Sequence, residues 1–299
     1  MQVDVHQHLW PAPFLAALRA RRTPPRLDGW VLHLLGGRKY LVDPAHHDVE
    51  ARADQAVADG DTLVCVAPSA ALGLDRLPRA EAEDLAAAWL EGALALPPPF
   101  RAYAMPTTPS ALGEALTSGA IGLEVGADLI AAAGGLGRLA PLLGVLESAE
   151  RPLFVHPGPA GAEDGPGRPE WWAPVVSYVA QLNAAWWAWT DDGRERFPRL
   201  RVCFAALAGL GPLHGERQRS RGGTAGTVDQ LAFLETSTYG TQAVDAVVRV
   251  LGIDVICRGS DRPYGIHVPP ALGSDAALHA MRSLNPGRLL AHVPHEMSA

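Results

Sequence analysis

The run Val3-Asp-Val-His-Gln-His8 decides how the chain is read. Alternate residues of a strand share a face. Val3 and Val5 therefore fall on one side, and Asp4, His6 and His8 on the other. The apolar side suits a covering layer of helices. The polar side carries two imidazoles, a chelating arrangement for a metal ion. His8 lies nearest the C-terminal end of the strand.

Seven further short apolar runs follow, at residues 62–67, 101–106, 120–125, 152–156, 201–206, 231–236 and 255–261. Segments of helical periodicity separate them, at 49–58, 80–95, 110–117, 136–149, 174–189 and 242–251. Strand-then-helix repetition predicts a parallel sheet. Eight units in one chain predict a closed (β/α)8 TIM barrel of the α/β class, in place of an open doubly wound sheet. Residues 1–299 are read as one domain. One insertion stands out after the first strand, at about 28–43. There 30–35 and 38–42 read as a β-hairpin turned by Gly36 and Gly37. In a barrel it would sit at the C-terminal mouth, where active sites are built.

That topology gives meaning to two more residues. His156 ends the fifth run, before Pro157 and Gly158 break the strand, and Asp261 ends the eighth. In a closed barrel the eighth strand lies beside the first, which brings Asp261 next to His6 and His8. Three neutral imidazoles and one carboxylate would leave a divalent ion with net charge of about +1 and a position open to water, as in catalytic zinc sites. One ion is expected, Zn2+ first and Mn2+ as the alternative.

Bulk composition agrees with an enzyme of this size. The chain has 299 residues, 48% hydrophobic and 19% charged, with formal net charge −7. That balance carries no electrostatic footprint for nucleic acid or an anionic membrane. No stretch approaches a membrane span. The first eight residues lack the basic and apolar segments of a signal peptide, so a cytoplasmic protein is expected. Cys65, Cys203 and Cys257 lie in apolar runs and read as buried free thiols.

The phrases VDVHQHLWP, PLFVHPG, RGSDRPYG and NPGRLL resemble the amidohydrolase superfamily. The likeness is to the amidohydrolase-related branch that includes aminocarboxymuconate semialdehyde decarboxylase, and it runs from Val3 to about Leu290. The resemblance implies a metal-dependent enzyme with His6, His8, His156 and Asp261 as ligands, and Asp261 as general base. Many members carry a histidine ending strand six. This chain has Phe204-Ala-Ala-Leu-Ala-Gly209 there, and His214 is the nearest substitute as a proton shuttle. Binuclear relatives place a carboxylate on strand four. Glu124 occupies that place and would hold a second metal, a lesser alternative to a carboxylate hydrogen-bonded in the mouth.

Arg38 on the hairpin is a candidate partner for a substrate carboxylate, and Arg262 a residue that fixes the rim. Trp10, Tyr239 and Tyr264 are candidates to line a pocket for a small molecule. Trp186, Trp187 and Trp189 read as packing, with a homodimer interface in view. His46 and His47 read as solvated, as do His292 and His295. A metal-dependent hydrolase of an amide, ester or lactone is weighed first. The alternative is a non-oxidative decarboxylase of a small carboxylic acid, and third comes a barrel that only binds a ligand.

Overall fold

The computed structural model describes residues 1–105, 108–161, 164, 167–224, 226–266 and 268–291. His267, His292 and His295 lie outside them. The predicted strands form as β1 (Val3–His8), β5 (Leu63–Ala67), β6 (Phe100–Ala104), β7 (Gly122–Gly126), β8 (Leu153–His156), β9 (Val202–Phe204), β10 (Ala232–Glu235) and β11 (Ile256–Cys257). They pair in that order, every ladder parallel. Helices such as Val49–Ala58, Arg79–Leu94 and Thr241–Leu251 lie where the periodicity puts them.

The last strand is short because the chain beyond it bends to close the barrel. Val5 N donates to Arg258 O at 3.0 Å, Asp261 N to His6 O at 2.9 Å and His8 N to Arg262 O at 2.6 Å. Asp4, inward on β1, accepts from Ser260 N at 3.0 Å. The seam between first and last strands is thus stitched by main chain and by one buried carboxylate. Asp261 has φ +56°, in the left-handed region, so the strand turns sharply where that side chain must face the mouth.

Val3 and Val5 join the core between sheet and helices. Trp186 and Trp189 are buried in the same core, and Trp187 packs against it. All three cysteines are free and buried. Inside the barrel, Tyr103 stacks on Phe154 with centroids 5.1 Å apart. Phe154 in turn lies 4.7 Å from the His6 ring and floors the site above it.

The insertion is a three-stranded antiparallel sheet, not a hairpin alone. A strand β2 (Arg26–Asp28) joins β3 (Val31–His33) and β4 (Lys39–Leu41). β2 was unreadable because three residues carry no periodicity, and they follow directly on Pro24 and Pro25. Gly36 and Gly37 supply the turn with φ +77° and +86°. A Cβ at Gly73 would come 2.9 Å from Leu35 Cδ1 and 2.8 Å from Pro159 Cγ. The tip of the insertion therefore packs on the loops after β5 and β8, at the barrel mouth.

His46 is exposed as expected, but His47 is buried, 6% exposed. Asp43 caps the 3-10 turn Pro44–His47 by accepting from Ala45 N, and that turn points His47 inward. Its Nδ1 accepts from Trp10 N at 3.0 Å. Burial, with Arg52, His46 and His8 nearby, pushes its pKa down to about 3. Below pH 6.5 the unfolded chain binds a proton here that the folded chain refuses. Stability present above pH 6.5 should therefore drain away as pH falls toward 3, by up to about 1.4 kcal/mol per pH unit from this group. Denaturant melts of wild type and His47→Asn between pH 7 and 4 check this; parallel pH slopes for the two would refute it.

Candidate metal centre

His6 and His8 lie on the inward face of β1, His156 ends β8, and Asp261 follows β11 at the seam. Their ligand atoms all lie within 4.8 Å of one another. His6 Nε2 is 3.0 Å from His8 Nε2. Asp261 Oδ1 is 3.5 Å from the first and 3.3 Å from the second. The His156 ring centroid lies 5.2 Å from that of His6 and 5.0 Å from that of His8. The three imidazoles are buried, while Asp261 keeps 26% exposure toward the mouth.

The outer ring nitrogens settle the tautomers. His8 Nδ1 meets Ala67 O at 2.9 Å and His156 Nδ1 meets Pro157 O at 2.9 Å. A carbonyl oxygen only accepts, so each Nδ1 must carry the proton. His6 Nδ1 meets the Glu235 carboxylate at 3.1 Å and donates likewise. In their neutral forms all three rings then turn an Nε2 lone pair to the centre. Such carboxylate and carbonyl partners orient metal-ligating histidines. The donor set fits a divalent ion.

The electrostatics favour a cation at the same point. Burial depresses imidazole pKa values, and it pushes His8 and His156 down. At His6 burial is outweighed by the charge and hydrogen bond of Glu235, with Asp261 and Asp4 adding, and the pKa rises to about 9. Burial opposes ionisation of Asp261, yet its proximity to His8, His6 and His156 holds its pKa below the usual range.

Glu235 escaped the sequence reading. It is fully buried and accepts from Ala206 N at 2.7 Å, Ser237 N at 2.6 Å and Ser237 Oγ at 2.5 Å, besides His6. A Cβ at Gly259 would collide with its carboxylate, so only glycine leaves room for it. Its signal was a single charge inside an apolar run, at the mouth end of the seventh strand. The same rule had singled out Asp261.

Glu124 points inward as the pattern required. Its oxygens accept from Ala70 N at 2.7 Å and Ser69 N at 3.2 Å, and His156 Nδ1 is 3.6 Å away. It lies outside the four-donor group. His214 is exposed where helix Gly215–Ser220 begins, and it too is outside that group. Leu207, Ala208, Gly209 and Leu210 all have positive φ, so the chain after β9 coils left-handed before reaching it.

The Tyr264 ring lies 5.3 Å from His8 and 6.4 Å from Trp10, at the mouth. Arg38 stacks over Tyr40 at 5.1 Å, and its Nη1 is buried without a partner among the described residues. Arg262 turns its guanidinium to Asp59 and gives its carbonyl to His8 N, so it braces the rim. Tyr239 is partly buried against the sheet–helix core, and its main-chain N donates to Thr236 O at 2.9 Å.

No family model matches the chain, and no curated protein matches its sequence. Solved structures do match over almost the whole length. One is 5-carboxyvanillate decarboxylase from Novosphingobium aromaticivorans with manganese and 4-hydroxy-3-methoxy-5-nitrobenzoic acid. It is 13% identical over 97% of this chain and 96% of that one, with a TM-score of 0.69. Another, 2,6-dihydroxybenzoate decarboxylase from Rhizobium, is 17% identical over 97% and 98%, at 0.67. A third, 4-oxalomesaconate hydratase from Rhodopseudomonas palustris, is 15% identical over 98% and 96%, at 0.69.

The chain shares the (β/α)8 barrel fold of these structures. That barrel hosts more than one chemistry. Among the described residues no helix is long and apolar enough to cross a membrane.

Proposed function

We propose that the chain is a metal-dependent member of the amidohydrolase superfamily, and that it removes carbon dioxide from a small carboxylated compound without oxidation. The observation that carries this is the orientation of three imidazoles, each with Nδ1 engaged outward and Nε2 free beside the Asp261 carboxylate. His6, His8, His156 and Asp261 would hold one divalent ion, zinc or manganese. Bound there, the ion supplies Lewis acidity that draws electron density from a coordinated oxygen.

The chain's own residues do the rest. Glu235 holds the His6 ring in one tautomer, and Ala67 and Pro157 carbonyls hold the other two. Arg38, with an unpaired buried nitrogen at the mouth, supplies a charge for a substrate carboxylate. Asp261, the one member of the centre open to the mouth, is ionised at rest and would relay a proton taken from solvent there. It delivers that proton to the carbon bearing the carboxylate. The carbon–carbon bond then breaks, its electron pair stays on the ring or chain, and carbon dioxide departs. Two of the matched structures are decarboxylases of carboxylated aromatics, which supports this reading over hydrolysis. Hydrolysis is the second reading, favoured by the exposed face of Asp261, where a carboxylate can take a proton from water.

The test is carbon dioxide release. Supplied with manganese or zinc, the chain should liberate one carbon dioxide per molecule from a panel of carboxylated phenols that includes 2,6-dihydroxybenzoate. A chelator should stop it. Turnover of lactones or esters with no carbon dioxide from any carboxylate would overturn the assignment.

A further inference from the structure

Trp10 follows β1 directly, and His47 ends the turn that leads out of the insertion. Their rings stack nearly parallel, 7° apart with centroids 4.6 Å apart. Both are buried, Trp10 at 1% and His47 at 6% exposure. Trp10 Nε1 and His47 Nε2 each lack a hydrogen-bond partner among the described residues. His47 Nδ1 accepts the main-chain N–H of Trp10 at 3.0 Å, so the proton of the neutral ring sits on Nε2. Both orphans are therefore N–H donors. A buried donor left unmade costs stability, and evolution seldom places two on stacked rings without use.

Their position says what the use is. The Tyr264 ring, half exposed, lies against both His8 and Trp10. The stacked pair thus belongs to the same aromatic wall as the four-donor centre. Arg38 Nη1, on the insertion, is a further buried donor without a partner among the described residues. Two N–H donors side by side on stacked rings suit oxygens that accept, and anionic oxygens best.

We propose that Trp10 Nε1–H and His47 Nε2–H form a subsite for a carboxylate or phenolate oxygen of the substrate. This rests on the reading above, that the substrate is a small anion. Burial, Arg52, His46 and His8 keep His47 neutral across the working range, its pKa at about 3, so the subsite recognises by hydrogen bonding. His47→Asn keeps an acceptor for the Trp10 main-chain N–H and removes the ring N–H on the far side. Trp10→Phe keeps the stack and removes only the indole donor.

The test uses the zinc-loaded full chain, labelled with nitrogen-15 at tryptophan, with benzoate as probe and benzyl alcohol as its neutral counterpart. The indole signal that disappears in Trp10→Phe should move downfield with benzoate and stay in place with benzyl alcohol. Each substitution should weaken benzoate binding tenfold or more, the scale for losing a hydrogen bond to a charged group. A signal that ignores benzoate, or moves equally with both probes, overturns the subsite. So does undiminished affinity in both variants. These spectra need no turnover. A chain that releases carbon dioxide while its Trp10 signal stays still loses the subsite and keeps the proposed function.

Discussion

Asp261→Asn should lower turnover about a thousandfold at saturating metal, within the range for removal of a positioned proton carrier. Asn is the same size and keeps an oxygen for the centre. It can neither hold a transferable proton nor contribute negative charge. The position has little slack. Its φ of +56° and its N–H bond to His6 O fix where the side chain points, and its oxygen sits 3.3 Å from His8 Nε2. Steady-state carbon dioxide release, at metal concentrations that saturate the variant, separates lost chemistry from lost binding. A variant within tenfold of wild type would remove Asp261 from the proton path.

Glu235→Gln should weaken metal binding by about 10- to 100-fold, the usual effect of removing a carboxylate behind a ligating histidine. The geometry explains why an amide is no substitute. Four donors converge on this carboxylate: His6 Nδ1, Ala206 N, Ser237 N and Ser237 Oγ. An amide presents one oxygen and turns an NH2 toward donors that already need acceptors. One of them is left unsatisfied in a fully buried site. That should also cost about 1–3 kcal/mol of stability. Competition for zinc against a chelator of known affinity reads the first effect, and denaturant melts of the metal-free chains read the second. Unchanged zinc affinity would mean that Glu235 does not orient His6.

How much of this was legible beforehand follows from what each feature depends on. The barrel strands were readable because inward and outward residues alternate within five or six positions. Val3–His8 carries its whole message locally. The pairing of Asp261 with His6 and His8 was readable because closure makes the first and last strands neighbours. The tautomers were not, since Ala67 O and Pro157 O are main-chain atoms that exist in every sequence. Glu235 was overlooked although its signal was present. His47 carried no signal: it is buried only because a short turn folds it under Trp10, and nothing in Pro44-Ala-His-His47 distinguishes one histidine from the next. The left-handed coil from Leu207 to Leu210, which separates His214 from β9, was likewise unreadable in the sequence.

Everything turns on whether His6, His8, His156 and Asp261 grip a single cation. Elemental analysis of the purified chain, after equilibration with zinc or manganese and removal of the free ion, measures this directly. One ion per chain is expected, falling below about a tenth when His6 and His8 are both replaced by alanine, because two of four ligands are then gone. No ion in wild type, or equal metal content in wild type and the double variant, would contradict it.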